Sequence, residues 1–367
     1  MKILYNRYKG SGNMTQWQFV NYIDEWQRAG YEIEYLEVNY ADKENAAELI
    51  SSTLFRSDFD IFISACDDQV ITSEVHYAMK KKGVPSLLIC FDNLSVPFKH
   101  KKCSSYFDLV WLTSHETKYL FDKWGAKSIF MPYAANPFTY RPDKGEELPG
   151  IAFVGTCYGG RINKIEELLR YNIDVRLYGG NSPSAEGENP VKNVFFNLSS
   201  SVKNISQLSR FPVGRQALKA AALKSTRKFE VSNALQALIG NRSSLSFDDL
   251  AKTYSRSQMS LNITELWNTY LLDQPIHKLH LRTFEIPMSG GLQISSRNDE
   301  IREYFEEDRE IILYDSIEEF VDKSQFYLRD ENLLLREKIK FAARERCVDE
   351  HRWQNRFLHA FSVLGIK

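Results

Sequence analysis

The sequence has 367 residues, 43% of them hydrophobic, which is enough for two or three domains that each bury a core. Lys and Arg number 47 against 48 Asp and Glu, so the overall charge favours neither a nucleic-acid-binding protein nor an acidic tail. The chain begins with strand-like residues instead of a signal peptide, and no apolar run is long enough to span a membrane. We therefore expect a cytoplasmic, globular protein.

The cysteines argue against two further classes of site. Cys66, Cys90, Cys103, Cys157 and Cys347 are odd in number and widely separated, and no C-x-x-C pair occurs. This pattern argues against a disulfide framework and against a zinc site. We expect reduced thiols, most of them buried.

The first half of the chain alternates apolar runs of strand length with amphipathic segments. Helical patterns cover Gln16–Ala29 and Glu44–Phe55. This alternation predicts a doubly wound parallel sheet over residues 1–138. The predicted strands are Ile3–Tyr5, Ile33–Val38, Ile61–Ala65, Ser86–Cys90, Leu109–Leu112 and Ser128–Met131.

Polar residues follow four of these predicted strands. Ligands of doubly wound sheets lie beyond the carboxyl ends of the strands, so four polar ends in register predict a binding cleft. The residues concerned are Asn6 with Gly10 and Gly12, Asp67 with Asp68, Asp92 with Asn93, and Thr113 with Ser114 and His115.

A second strand-and-helix pattern begins after a polar, linker-like stretch, residues 139–149. A glycine-containing turn, Gly155–Arg161, precedes the predicted helix Ile162–Tyr171. Such a turn lets the backbone approach a phosphate, and a purely steric role for its glycines is the alternative. We predict a second α/β unit over residues 150–345. Its strands are Ile151–Val154, Val175–Tyr178, Val194–Phe196, Met259–Ile263, Leu292–Ser295 and Glu310–Tyr314.

The segment Leu281–Ile294 predicts a short helix followed by a buried strand. The hydroxyl of Thr283 is expected to cap the helix, which puts Pro287 at about its fourth position. Gly290 and Gly291 are expected to end the helix with positive φ angles.

An arginine and a glutamate stand three residues apart at the start of this helix. The carboxylate of Glu285 could accept two hydrogen bonds from a vicinal diol such as a ribose, while free N–H groups of the helix start suit a phosphate. The alternative is an exposed ion pair between Arg282 and Glu285, which would contribute only a few tenths of a kcal/mol.

A basic segment interrupts the second unit at about residues 198–245. No acidic residue occurs between Glu188 and Glu230, and Arg215–Lys228 has the composition of a helix with a basic face. The segment is either a solvated basic surface or a contact for an anionic membrane or a lipid pyrophosphate. The eight basic residues between Glu188 and Glu230 are Lys192, Lys203, Arg210, Arg215, Lys219, Lys224, Arg227 and Lys228.

The C-terminal part, Glu331–Leu364, shows the apolar spacing of one long helix. We expect its last part, residues 346–367, to pack on the N-terminal domain.

Several of these segments together resemble the spore-maturation-type glycosyltransferases of glycosyltransferase group 1. The resemblance spans nearly the whole chain except the basic segment. It implies the GT-B fold, in which two Rossmann-like domains face a central cleft, with the nucleotide sugar mainly on the C-terminal domain and the acceptor mainly on the N-terminal one. The matching segments are Phe153–Gly155 with Arg161, Val175–Gly179, Tyr254, Ser260–Ile263, Leu281–Gly291, and in the first half Asp58–Ser64, Phe91–Asn93 and Met131–Ala135.

The resemblance also implies roles for individual residues. Glu285 would bind the ribose hydroxyls of the donor, and the helix start near Arg282 and Thr283 would face its diphosphate. Gly155 and Arg161 would meet the same phosphates. The other residues of the predicted donor site are Tyr178, Gly179, Asn262, Gly290 and Gly291.

The predicted reaction needs no metal ion and no cofactor, because arginine and helix N–H groups would neutralise the leaving diphosphate. Related retaining enzymes often have a glutamate eight residues before the ribose-binding one, where this chain has His277, so retention and inversion both stay open. Inversion would need a general base in the N-terminal domain. The candidates are Asp92, Asp68 and Asp67.

The predicted acceptor site combines Asn6, Gly10 and Gly12 with Trp267 and Tyr270, whose rings could stack on a sugar. The leading hypothesis is metal-independent transfer of a hexosyl group from a nucleotide-diphosphate sugar to a glycan or lipid-linked acceptor, as in the assembly of cell-envelope polysaccharide. Peripheral contact with the inner face of the membrane is an option, and no nucleic acid is expected. A nucleotide-sugar epimerase and a non-catalytic nucleotide- or glycan-binding protein are the alternatives.

Overall fold

Two parallel β-sheets organise the chain. The structure is a computed structural model that describes residues 1–10, 13–39, 41–179, 205–227 and 231–366. It divides into unit 1, Met1–Asn136 with Trp353–Lys367, and unit 2, Pro137–Arg352. Each unit contains one of the two sheets.

Unit 1 has a doubly wound sheet. Its strands are β1 (Lys2–Tyr8), β2 (Glu32–Val38), β3 (Ile61–Ser64), β4 (Ser86–Cys90), β5 (Leu109–Leu112) and β6 (Ser128–Phe130). All are parallel, in the order β2-β1-β3-β4-β5-β6. The central strands β3, β4 and β5 are buried along their whole length, as parallel strands covered by helices on both faces require. The six strands agree with the predicted ones.

The helices of unit 1 include one from the far end of the chain. They are α1 (Asn13–Gln18), α2 (Asp24–Arg28), α3 (Lys43–Arg56), α4 (Ser73–Lys82), α5 (Lys118–Lys123) and the C-terminal α14 (Trp353–Leu364). A π-helical segment, Phe19–Ile23, joins α1 to α2 within the predicted helix Gln16–Ala29. There Asn21 leaves the helical conformation, and its Nδ2 donates to the carbonyl oxygen of Trp17.

The C-terminal helix α14 completes the aromatic core of unit 1. The indole Nε1 of Trp353 donates to Asn21 Oδ1 at 3.0 Å, and the rings of Trp26 and Phe357 meet edge to face at 4.6 Å. Each such buried ring contributes about 1.5–3 kcal/mol. Unit 1 therefore depends on residues more than 300 positions apart in the sequence.

The predicted single helix over Glu331–Leu364 is wrong, because the structure has two helices there. Helix α13 (Leu333–Glu350) belongs to unit 2 and α14 to unit 1. His351 ends α13, and its Nε2 lies 3.1 Å from the carbonyl oxygen of Tyr304. The apolar spacing continues across this break, so periodicity alone could not reveal it.

Unit 2 has a five-stranded sheet. Its strands are β7 (Leu148–Val154), β8 (Val175–Tyr178), β9 (Ser257–Asn262), β10 (Gln293–Ser296) and β11 (Ile312–Tyr314), in the order β11-β10-β9-β7-β8. All five are parallel, so their carboxyl ends share one edge, where ligands of such sheets bind. These strands agree with five predicted ones, while the predicted strand Val194–Phe196 lies outside the described residues.

The helices of unit 2 cover this sheet. They are α6 (Gly160–Arg170), α7 (Pro212–Thr226), α8 (Asn233–Asn241), α9 (Phe247–Arg256), α10 (Arg282–Met288), α11 (Asp299–Arg302), α12 (Ile317–Leu328) and α13. Side-chain caps define where four of them begin: Ser232, Ser246, Asn298 and Ser316 accept N–H groups of α8, α9, α11 and α12.

Candidate functional site

The loop after β7 brings two strand ends of unit 2 together. The N–H of Gly155 donates to the carbonyl oxygen of Tyr178 at 2.9 Å. A Cβ atom on Gly179 would lie 2.6 Å from the carbonyl oxygen of Gly155, so this position requires glycine. These three predicted donor-site residues are therefore neighbours at the carboxyl ends of β7 and β8.

Two aromatic residues pack against the start of α6. The N–H of Gly160 donates to the carbonyl oxygen of Trp267 at 3.2 Å. The ring of Tyr270 also lies against Gly160. Trp267 and Tyr270 thus support the α6 start, and their predicted stacking on an acceptor sugar stays a prediction.

Two buried arginines lie at this edge of the sheet. Arg161, in the first turn of α6, is 5% exposed, and Arg282, the first residue of α10, is 8% exposed. The Nη1 atom of Arg161 donates to the carbonyl oxygen of Thr156 at 2.9 Å, and its guanidinium lies 4.1 Å from the ring centroid of Tyr158. The guanidinium of Arg282 lies 5.0 Å from the ring centroid of Phe153. The rings of Tyr158 and Phe153 and the carbonyl oxygen of Thr156 thus hold the two guanidinium groups in place.

Neither guanidinium has an anionic partner among the described residues. The Nε atom of Arg161 and the Nε and Nη1 atoms of Arg282 make no hydrogen bond there. Burial, and then the charge of Arg282, lower the pKa of Arg161 to about 10, so Arg161 is still charged at pH 7. Two unpaired buried cations are costly, and an anion would remove that cost. Phosphate suits the pair, since guanidinium groups bind it through paired charge-assisted hydrogen bonds.

The predicted ribose ligand is held by a residue that the sequence analysis did not include. Glu285 lies in the first turn of α10, as predicted, and is 4% exposed. The hydroxyl of Tyr140 donates to its Oε1 at 2.7 Å. Because Arg282 and Glu285 are both buried, the alternative of an exposed ion pair is wrong. Tyr140 lies 145 residues away in the linker-like stretch, and no pattern connected it to Glu285.

Two details of the predicted α10 are wrong. Leu281 takes the N-cap position with helical angles (φ −49°, ψ −44°), and no side chain caps the helix. Thr283 lies inside the first turn, where its Oγ1 accepts a hydrogen bond from Asn262 Nδ2 at 3.0 Å. Pro287 lies one residue before the end of the helix and not at about its fourth position. The helix begins before Thr283, which therefore cannot cap it.

Asn262 and the glycine pair surround the same helix. The Oδ1 atom of Asn262 is buried and has no described partner, so Asn262 retains an acceptor for a ligand or for water. Gly290 has the predicted positive φ (76°) and Gly291 does not, which corrects that part of the prediction. The donor contacts predicted for these three residues stay predictions.

A buried polar network lies at the carboxyl ends of β9 and β10. Thr264 Oγ1 is 2.9 Å from His277 Nδ1 and 2.9 Å from Ser296 Oγ. Ser296 Oγ donates to Glu265 Oε2 at 3.1 Å, and Lys164 Nζ lies 3.5 Å from Glu265 Oε1. Burial lowers the pKa of His277, whereas the charge of Glu265 raises it. The sequence analysis missed this network because its members share no motif.

In unit 1, Asn6 and the glycines after β1 have different surroundings. The side chain of Asn6 is fully buried, donates to the carbonyl oxygen of Leu36 and accepts from Ser64 Oγ. Asn6 thus links β1 to the neighbouring strands β2 and β3, which is a structural role. Gly10 is exposed, and Gly12 lies outside the described residues. Their predicted acceptor contact stays a prediction.

The three candidate bases are held differently. Asp67 Oδ1 accepts from the hydroxyl of Tyr8 at 2.7 Å. Asp68 accepts the N–H groups of Lys102 and Cys103 at 3.0 and 2.8 Å, so both of its oxygens are engaged by main chain. Asp92 is exposed just beyond the end of β4. Solvent exposure makes Asp92 the most accessible of the three.

His100, which the sequence analysis did not include, lies close to these carboxylates. Burial lowers its pKa to about 4, although the charges of Asp67, Asp68 and Asp92 raise it. Its Nδ1 atom has no described partner. The imidazole is therefore neutral at pH 7.

Two kinds of feature are absent from the described residues. Nowhere in those ranges do three His, Cys, Asp or Glu side chains gather as a metal site would need. None of the described helices is long and apolar enough to cross a membrane.

One family model and several solved structures are similar to this chain. Residues 212–361, less than half of the chain, match a family described as "Glycosyl transferase-like". The match includes Arg282 and Glu285 but not Arg161. No curated protein matches the chain.

Solved structures resemble the chain over almost its whole length. A sucrose-phosphate synthase from Thermosynechococcus elongatus has 11% identity and a TM-score of 0.59, over 99% of this chain and 98% of that one. A glycosyltransferase from Rickettsia africae has 13% identity and a TM-score of 0.59, over 99% and 97%. HepE from Anabaena, solved with UDP and glucose, has 10% identity and a TM-score of 0.59, over 99% of both chains. These likenesses show the fold, which is the α/β GT-B fold with two Rossmann-like sheets.

Proposed function

We propose that the chain is a glycosyltransferase that moves a sugar from a nucleotide-diphosphate donor to a glycan or lipid-linked acceptor. The observation that carries this proposal is the pair of buried, unpaired arginines beside the buried Glu285. A diphosphate would supply the missing anion, and a ribose would supply the two hydroxyl donors that a carboxylate accepts. The glycosyltransferase-like family match over residues 212–361 supports the same reaction class.

Leaving-group stabilisation is the proposed catalytic device of unit 2. Negative charge grows on the diphosphate as the bond to the sugar breaks, and preorganised cations at that position stabilise the transition state. Arg161 and Arg282 are fixed by Phe153, Tyr158 and main-chain contacts before any ligand binds. We therefore propose that transfer needs no metal ion.

Donor orientation would depend on the pair Glu285 and Tyr140. The hydroxyl of Tyr140 donates to Oε1 of Glu285 and so fixes the orientation of the carboxylate that would accept the ribose hydroxyls. Asn262, at the end of β9, would add an amide oxygen near the same ligand.

Unit 1 would supply the acceptor side of an inverting reaction. Asp92 is our first candidate for the general base, because it is the most exposed of the three carboxylates. A base must reach the acceptor hydroxyl directly or through one water. Asp92→Asn should then abolish transfer while nucleotide binding persists.

The basic segment offers a contact for an anionic acceptor carrier. Helix α7 presents Arg215 and Lys219 to solvent, with Arg227 following it, whereas Lys192, Lys203 and Lys228 lie outside the described residues. Each basic side chain near an anionic bilayer contributes about 1 kcal/mol. We propose peripheral binding at the cytoplasmic face of the membrane, where envelope glycans could be assembled. A Lys219→Glu, Arg215→Glu double variant should bind anionic vesicles more weakly than wild type.

A thermal-stability panel tests the donor site. Wild type and Glu285→Gln are heated with each of the common nucleoside diphosphates, once with Mg²⁺ and once with EDTA. A ligand at about 100 times its Kd adds about 2.7 kcal/mol to the free energy of unfolding. We expect one nucleotide to stabilise wild type equally in both buffers and Glu285→Gln much less.

A transfer assay with that nucleotide's sugars completes the test. Release of the nucleoside diphosphate only when a glycan or lipid-linked acceptor is present would support transfer. Absence of nucleotide stabilisation across the panel would contradict the proposed donor site.

A further inference from the structure

A third arginine, Arg242, lies within the basic segment, residues 198–245, but outside the run of eight basic residues considered above as a membrane contact. It directly follows α8, and the carbonyl oxygen of the next residue, Ser243, accepts the N–H of Gly179 at 2.9 Å. Gly179 packs against Gly155, and the guanidinium of Arg282 also contacts Gly155. Main-chain contacts therefore hold Arg242 at the carboxyl edge of β7 and β8.

Cys157 lies where the three guanidinium groups act together. It follows Gly155 by two residues in the loop between β7 and α6. Burial raises the pKa of the Cys157 thiol, while the positive charges of Arg242, Arg161 and Arg282 lower it. The other four cysteines are buried, so Cys157 is the accessible thiol of the chain.

The three arginines form no ion pair with a described residue, although the charge of Glu265 raises the pKa of Arg161. The Nε atom of Arg242 has no hydrogen-bond partner, which repeats the condition of Arg161 and Arg282. Within the described ranges no carboxylate forms an ion pair with any of the three. Because Arg161 and Arg282 are more than nine-tenths buried, their unpaired N–H groups define a built anion site and not a solvated surface.

We propose that Arg242 is the third phosphate-binding arginine of this site and that a bound diphosphate covers the thiol of Cys157. This inference rests on the proposed function and deepens it. Three positive charges around one loop match the two to three negative charges of a diphosphate, whereas a single phosphate would leave one arginine uncompensated. Inorganic pyrophosphate and a nucleoside diphosphate share this chemistry.

Differential alkylation of Cys157 tests the proposal without any activity assay. Iodoacetate and iodoacetamide both form a thioether with the thiolate and release iodide, but only iodoacetate is an anion. The ratio of their rates at Cys157, followed by peptide mass spectrometry, therefore reports the local positive charge independently of the thiol pKa. We expect Arg242→Met to lower the ratio of the iodoacetate rate to the iodoacetamide rate about tenfold. A focused positive field raises the association rate of anions by about 10–1,000-fold.

Two further variants separate charge from folding. Arg242→Lys keeps the positive charge, so its alkylation-rate ratio at Cys157 should stay close to that of wild type. This comparison remains available if Arg242→Met does not fold. Arg256→Met is the matched control, because Arg256 lies in the same unit, faces solvent and interacts with Asp143 and the carbonyl oxygen of Glu146. It should leave the ratio unchanged.

Protection by ligands completes the experiment. The nucleoside diphosphate selected by thermal stability should slow alkylation of wild-type Cys157, and Arg242→Met should need at least about tenfold more of it, as expected for one lost charge-assisted hydrogen bond. An unchanged alkylation ratio in Arg242→Met, or a nucleotide that binds while Cys157 stays reactive, would overturn the inference. Protection by pyrophosphate with no nucleoside diphosphate binding would uphold the three-arginine site and contradict the proposed donor.

Discussion

Replacing Arg282 with Met should stabilise the ligand-free protein while weakening nucleotide binding. The Nε and Nη1 atoms of Arg282 are buried without partners, and each orphaned donor costs about 1–3 kcal/mol. The cation–π contact with Phe153 at 5.0 Å returns about 1 kcal/mol. Met fills a similar volume with no polar atom, so the free energy of unfolding should rise by about 2 kcal/mol. In a domain of about 150–250 residues this corresponds to an increase in Tm of about 4–8 °C.

The same change should remove two charge-assisted hydrogen bonds to the ligand. At about 1.5 kcal/mol each, their loss weakens binding of the nucleoside diphosphate by about 3 kcal/mol, or roughly a hundredfold in Kd. Differential scanning calorimetry gives the first quantity, and titration calorimetry gives the second. Opposite signs for the two effects would identify a residue that is kept for its ligand and not for the fold.

Arg336→Met is the matched control within the same unit. Arg336 is 1% exposed, but its Nη1 donates to the carbonyl oxygens of Tyr327 and Arg329 and its Nη2 donates to Glu147 at 2.8 Å. Removing this ion-paired cation should cost about 3–5 kcal/mol of stability, since Glu147 loses its partner. Equal destabilisation by both replacements, with nucleotide binding intact in Arg282→Met, would refute the reasoning.

Two further predictions concern unit 1. His100, with a pKa of about 4, is neutral in the folded protein, whereas an unfolded histidine titrates near 6.5, so the folded state is favoured above pH 6.5 and loses that advantage as pH falls towards 4. Between pH 6.5 and 5, the free energy of unfolding of wild type, measured in urea, should therefore fall by about 2 kcal/mol more than that of His100→Gln. Parallel dependence of the two unfolding free energies on pH would contradict this. Asn93→Ala should lower the free energy of unfolding by about 3 kcal/mol. The fully buried side-chain amide of Asn93 forms hydrogen bonds with the main chain of Thr113 and Ser114 and with the hydroxyl of Thr117. Nucleotide binding by that variant at low temperature should match wild type.

The sequence predicted the strands well because their composition is unambiguous. Runs such as Ser86–Cys90 and Leu109–Leu112 are apolar throughout, and strands buried on both faces of a parallel sheet need this composition. Helix ends were predicted less well. Thr283 has the chemistry of a cap, yet the backbone of Leu281 is already helical, and local chemistry does not reveal where tertiary packing starts a helix.

The candidate site was predictable only where a motif brings its residues together. Glu285 and Arg282 are three residues apart and could be identified, whereas Tyr140 and Arg242 reach the same region through the fold. His100 could not be identified either, because its low pKa arises from burial. Contacts between residues far apart in sequence need coordinates, or evolutionary information from many relatives.

The pairing of buried cations distinguishes the requirements of the fold from those of a ligand. In unit 2, Arg336 and Lys340 approach Glu147, and Lys164 approaches Glu265. These pairs follow the rule that buried charges are compensated within the protein. Arg161 and Arg282 depart from this rule although they are equally buried and lie on the same sheet. Since the unit pairs cations elsewhere, the absence of an ion pair on Arg161 and Arg282 among the described residues is best explained by an anion that arrives from solution, and the edge of the sheet where they lie is where such a ligand binds.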